Sequence, residues 1–176
     1  MSKFVPLAAW LIASLAAPVP AARAAVLGPY AADCVAGGKP AMLVEVRGLK
    51  SRSGIVRVQS YGGDPANYFD KGTYLERVEV RPPSAGQVEI CVPVPHAGIY
   101  AVSIRHDANG NGSVDIGSDG GGFSGNPSIS LFDAMFRRKP SPVQVQVRVN
   151  GLTIVPIVLN YVHGGRVAPI AGGQQG

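Results

Sequence analysis

The chain has 176 residues, the length of one ordinary domain, with 46% hydrophobic and only 15% charged residues and a formal net charge of +5. Its 16 basic residues are scattered apart from the run Arg137, Arg138, Lys139. Nucleic-acid binding needs many phosphate contacts on one face, so no nucleic-acid partner is expected.

Residues 1–24 have the layout of a secretory signal peptide: Lys3 at the start, an apolar centre from Phe4 to Leu15, a Pro18 to Pro20 break, and small residues at Ala22 and Ala24 around Arg23. The apolar centre is only about half of the roughly 20 residues a spanning helix needs, so no membrane insertion of the mature chain is expected. Cleavage near Ala24 takes away two of the 16 basic groups and none of the 11 acidic ones, leaving a net charge of +3. The product is expected in the periplasm or outside the cell. Residues 25–40 then read as an N-terminal segment, 41–163 as the folded domain, and 164–176, rich in Gly and Gln, as a disordered tail.

Two cysteines, Cys34 and Cys91, are present. An even pair in an exported protein reads as one disulfide, here pinning the N-terminal segment to a later strand. The YAAD before Cys34 is not the apolar and small context of a lipid-anchor site.

Alternation with period two dominates the domain. In MLVEVR, Met42, Val44 and Val46 fall on one side, and Leu43, Glu45 and Arg47 on the other. Further runs follow at 54–61, 75–81, 87–94 and 100–106, with Gly and Pro turn-formers between them. Near the C-terminus, 143–149 and 152–161 flank Asn150-Gly151, the dipeptide suited to a two-residue type I′ hairpin. Pro156 inside the last run requires an edge position or a bulge, because proline cannot donate to a ladder. Only SISLFDAMF suggests a turn or two of helix. Spacing and turns together predict an all-β, antiparallel β-sandwich of about seven or eight strands, of the immunoglobulin or prealbumin type. A membrane β-barrel also alternates, but the loops do not form a long-and-short series, and no aromatic girdle is present.

Several of these residues carry a resemblance. The run GIYAVSIRHDANGNGSVD (98–115), GGFSGNP (121–127), the step Leu131, Ala134, Phe136, and a final strand ending in Leu159-Asn160-Tyr161 resemble the domain-of-unknown-function family 2141. The likeness runs from about Ala41 to Tyr161. It departs at Leu131, where Phe is the family's residue, and between Asp115 and Gly121, which is shorter and richer in Gly. What the resemblance implies is a small exported protein with a transthyretin-like sandwich; it implies no activity.

The stretch HDANGNGSVD (106–115) ends one of the expected strands. Counting from Asp107 as position 1, oxygen donors fall at 1 (Asp107), 3 (Asn109), 5 (Asn111) and 9 (Asp115). Gly112 stands at 6 and the Ser113 carbonyl at 7. This is the front half of an EF-hand type calcium loop, in which glycine permits the sharp turn. The closing carboxylate at position 12 is absent: Ser118 stands there and Asp119 follows. Two acids and two amides make a low-charge, low-affinity calcium site. The same letters also build a turn, because Asn and Asp tolerate left-handed backbone and bond their own main chain. Both readings fit the sequence.

No catalytic residues are assigned. His96, His106 and His163 are the only histidines, and no nucleophile elbow, zinc-protease motif or phosphate loop is present. His106 and Asp107 are neighbours at a strand end, so their side chains start on opposite faces and make a poor catalytic pair; a surface position is expected for His106. Residues 117–125, with Phe123, form either a mobile loop or a binding surface. The expected function is an exported, non-catalytic sandwich module in the cell envelope, binding a protein or glycan or stabilising an assembly. The alternative is a small extracytoplasmic hydrolase with an unidentified carboxylate-based site. A groove with converging groups would favour that alternative.

Overall fold

The computed structural model describes residues 25–170. The expected signal peptide, residues 1–24, and the end of the expected tail, 171–176, lie outside the described residues. Among the described residues the regular structure is mainly eleven strands: β1 (Val26–Leu27), β2 (Ala41–Arg47), β3 (Ile55–Tyr61), β4 (Glu76–Val80), β5 (Val88–Pro93), β6 (Gly98–Asp107), β7 (Gly120–Phe123), β8 (Val147–Val149), β9 (Leu152–Val158), β10 (Asn160–His163) and β11 (Arg166–Ala168). Two short helices, α1 (Leu131–Met135) and α2 (Pro142–Val145), lie between β7 and β8.

The strands form two sheets. The smaller runs β1-β5-β2-β9, and the larger runs β11-β10-β7-β6-β3-β4, with β8 paired to the start of β6. The larger sheet is antiparallel throughout, whereas β1 with β5 and β2 with β9 are parallel in the smaller. The all-β sandwich therefore stands, with mixed rather than purely antiparallel pairing.

The period-two pattern fixes which residues face inward. Met42, Val44 and Val46 of β2 are buried, as are Val56 and Val58 of β3 and Val102 and Ile104 of β6. They pack with Ile90, Val92, Ile157 and Tyr161 into one core between the sheets. Burying such side chains, at roughly 1.5–3 kcal/mol each, is what holds the two sheets together. A second, smaller cluster of Tyr61, Tyr68, Ala101 and Val145 sits on the other face of the larger sheet, with Phe69 and Phe123 against it.

Pro156 lies in β9, the edge strand of the smaller sheet, where its missing N–H breaks no ladder. The free side of that edge is bonded by Asn126, whose Oδ1 accepts the Val158 N–H at 2.8 Å and whose Nδ2 donates to the Pro156 carbonyl at 3.0 Å.

Three expectations need correction. The segment 143–149 is not one strand: Pro142–Val145 is helical and only Val147–Val149 extended. Asn150-Gly151 makes no hairpin, because β8 pairs with β6 in the larger sheet while β9 pairs with β2 in the smaller. A type I′ turn needs positive φ at both central residues, and of the two only Gly151 has it. The dipeptide instead carries the chain from one sheet to the other. Residues 164–170 are not loose, since Arg166–Ala168 adds an antiparallel edge strand to β10. Gly164 and Gly165, both at positive φ, turn the chain back for that pairing.

Candidate functional site

The strand β6 delivers its last residues to opposite faces, as its period requires. His106 points inward and is fully buried, not at the surface as expected. Its Nε2 donates to the Ser53 carbonyl at 2.9 Å; its Nδ1 is then the acceptor for the Tyr161 hydroxyl at 2.6 Å. Burial, partly opposed by the Ser53 carbonyl, lowers the His106 pKa, so the ring is neutral. Tyr161, which also accepts the Lys50 N–H at 3.1 Å, is pushed up to about 12 by burial. This pair is a satisfied piece of the core.

Asp107 falls on the outer face and is 3% exposed. Its Oδ2 accepts the Gly112 N–H at 2.9 Å and the Arg105 Nη2 at 3.2 Å, while its buried Oδ1 has no hydrogen-bond partner among the described residues. Asn109 and Asn111 each accept a backbone N–H two residues on, at 3.1 and 2.8 Å. Both amides then donate to the same oxygen, Asp115 Oδ2, at 3.0 and 2.6 Å. Those donors, Asn109 first, hold the Asp115 carboxyl below the usual carboxylate range. The Ser113 and Gly112 carbonyls accept Arg105 Nη1 and Nη2 at 3.0 and 3.3 Å.

The loop thus brings Asn109, Asn111 and Asp115 together and keeps Asp107 and Ser113 one step aside, on Arg105. Sequence reasoning missed Arg105 as a member of this cluster, and it passed over Asp119. That carboxylate closes the loop by accepting the Ala108 and Asp115 N–H groups at 3.3 and 3.2 Å and the Ser118 hydroxyl at 3.2 Å. Its place one residue beyond position 12 was the available signal. Among the described residues no three His, Cys, Asp or Glu side chains gather where a metal ion could sit; any cation here would rely on amide and carbonyl oxygens as well.

Beside this loop, on the outer face of the larger sheet, runs a groove of about 400 Å³. Its walls are apolar, from Phe69 and Phe123 on one side to Ile129, Val162 and Val167 on the other. Its floor includes Gly121, and Arg105, Arg137, Arg138 and Lys139 line it as well. The Phe69 and Phe123 rings meet edge to face at 4.8 Å, and Tyr61 meets Phe69 at 4.9 Å. Three carboxylates also reach the lining, and each is already engaged. Asp115 and Asp119 are bonded as above, and Asp133 caps α1 by a reciprocal bond with Ser130 that lowers its pKa. The groove is assembled from β3, β6, β7, β10 and the 129–139 segment, far apart in sequence, which is why it is not legible there.

On the far side of the molecule Cys34 and Cys91 form the expected disulfide, with Cα atoms 5.8 Å apart. Among the described residues no helix is long and apolar enough to cross a membrane.

An all-β sandwich with a bonded Asx-rich loop at one strand end and an apolar groove beside it is the class of protein that these features define. The family described as "Uncharacterized protein conserved in bacteria", the domain-of-unknown-function family 2141, matches residues 44–153. That is well over half of the chain, and the chain belongs to this family. No curated protein and no solved structure matches it.

Proposed function

We propose that the protein is an extracytoplasmic, non-catalytic sandwich module that binds a component of the cell envelope, a protein or a glycan, and takes calcium at low affinity in its 107–115 loop. The observation that carries this reading is the Cys34–Cys91 disulfide, a bond that persists in oxidising compartments and is rare in reducing ones. It agrees with the signal-peptide layout of residues 1–24. The non-catalytic part rests on the engagement of the groups that chemistry would use: His106 is buried and neutral, and Asp115, Asp119 and Asp133 each hold a loop or a helix end.

Calcium binding is supported by the buried Oδ1 of Asp107, a carboxylate oxygen with no partner among the described residues at the first position of the loop. Arg105 competes for the neighbouring oxygens, which keeps the affinity low.

The test of location is fractionation of cells that make the full chain, followed by mass spectrometry. A new N-terminus close to Ala25 in the periplasm or medium, with no free thiol, is the expected result. Full-length protein with two free thiols in the cytosol defeats the proposal. A pull-down from envelope extract, with and without calcium, tests the partner.

A further inference from the structure

We propose that the groove on the outer face of the larger sheet binds a small amphipathic anion, an aliphatic or aromatic body carrying one carboxylate. This rests on the reading of the protein as a binding module and names the ligand class of one site in it.

The groove floor is the first argument. The three glycines of β7 do not have the same reason to be glycine. A Cβ on Gly120 would lie 2.4 Å from the Tyr161 ring, and one on Gly122 would lie 2.8 Å from Ile157. Both face inward and are required by core packing. Gly121 faces outward, where a Cβ would meet only the Ile104 carbonyl at 3.7 Å, and its φ is not left-handed. Neither packing nor backbone asks for glycine there. What the missing side chain does is open the groove. By register, Gly121 lies between Arg105 of β6 and Asn160 of β10, so the gap in this row is flanked by a cation and an amide.

Charge is the second argument. The three carboxylates in the lining are already supplied with donors from their own loop or helix end. Two of the four cations have partners: Arg105 pairs with Asp107 at 3.2 Å and Lys139 with Asp70 at 2.8 Å. Arg138 lies over the Phe132 ring. Arg137, set at φ 51 in the left-handed region, has no side-chain partner among the described residues. Arg105 also keeps one buried donor, its Nε–H, without an acceptor. That donor is closed to solvent and so to a ligand, which leaves Arg137 as the cation free to meet a ligand carboxylate in the groove. The size agrees, since small-molecule sites occupy roughly 300–1,000 Å³.

The experiment is calorimetric titration of the mature, disulfide-bonded protein with decanoate, with decyltrimethylammonium as the charge-reversed probe and acetate as the head group alone. Decanoate should bind at one site with a dissociation constant on the order of 1 mM or tighter. The cationic probe and acetate should each bind at least about tenfold more weakly, the worth of one charge-assisted bond. Arg137→Gln should weaken decanoate by about the same factor. Gly121→Val, which fills the floor, should abolish binding while leaving the melting temperature unchanged. Equal binding of the two decyl probes, binding that survives Gly121→Val, or no decanoate binding at 10-fold that constant would each overturn the proposal. These outcomes leave the location and the envelope partner to be judged by their own experiments, so failure of the small-anion site and failure of the module reading remain distinct.

Discussion

The Tyr161 hydroxyl lies 2.6 Å from Nδ1 of His106, and the two side chains cross from β10 to β6 over the bare backbone of Gly120. A neutral histidine in a core costs little while both ring nitrogens are bonded, as here. The arrangement makes the fold sensitive to acid. Burial lowers the folded-state pKa of His106 below its ordinary value of 6.5. Below about pH 6.5 the unfolded chain therefore takes up a proton that the folded one refuses. Stability contributed by this site is complete above that pH and is lost as pH falls towards the folded pKa. Urea unfolding at pH 7.5, 6.5 and 5.5 should show a falling midpoint. In His106→Gln the part of that fall due to this site should vanish; an unchanged profile in the variant would assign the acid sensitivity elsewhere.

Removing the hydroxyl alone tests the same pair from the other side. Tyr161→Phe leaves His106 Nδ1 and the Lys50 N–H without their partner. A loss of about 1–3 kcal/mol is expected, the cost of buried groups left unpaired, with the fold retained. Denaturant midpoints at fixed m-value measure it. A neutral effect would mean that water replaces the hydroxyl.

The packing of β7 gives a paired contrast. Gly120→Ala places a methyl against the Tyr161 ring and should cost about 1–3 kcal/mol, as overpacking of a core does. Gly121→Ala, one residue on, should stay within about 0.5 kcal/mol of the parent protein. Thermal melts of the two variants decide between this account and one in which all three glycines merely provide flexibility.

How much of this was legible in the sequence follows from the same particulars. The inward set Met42, Val44, Val46 and the edge position of Pro156 were readable because each depends on strand period or on a missing N–H, both local properties. The pairing of Cys34 with Cys91 was readable from their number. His106 was misplaced because a polar residue at a strand end looks like surface until Ser53 and Tyr161, 53 and 55 residues away, arrive to bond it. Asn150-Gly151 looked like a hairpin because its letters suit one, yet β2 and β6 offered the two flanking strands better-buried partners in different sheets. The groove depends on which side of β7 each glycine faces, and no glycine run declares that by itself.

The disulfide should matter to stability more than to shape. It closes a separation of 57 residues, for which the loop-entropy account gives up to roughly 4 kcal/mol. The double variant Cys34→Ala, Cys91→Ala should retain the far-ultraviolet spectrum of the parent and unfold at clearly lower denaturant. If its midpoint is unchanged, the N-terminal segment is held by the β1 to β5 pairing alone.

Calcium tests the loop. At tenfold excess over a dissociation constant on the order of 0.1–1 mM, binding adds roughly 1.4 kcal/mol to the folded state, a rise in Tm of about 3–6 °C. Magnesium, which wants a tighter octahedron, should do much less. Asp107→Ala is a poor probe, because Asp107 is buried and bonds both Arg105 and the Gly112 N–H, so its loss lowers stability without any metal. Asp115→Asn is better, since that half-buried carboxylate can lose its charge and keep its shape; it should abolish the calcium shift. Arg105→Gln has the opposite expectation. It frees the Ser113 and Gly112 carbonyls and leaves Asp107 without its cation, so the parent Tm should fall and the calcium response should grow. If calcium moves neither the parent nor Arg105→Gln, the loop is a turn closed by Arg105, and its asparagines serve the backbone alone.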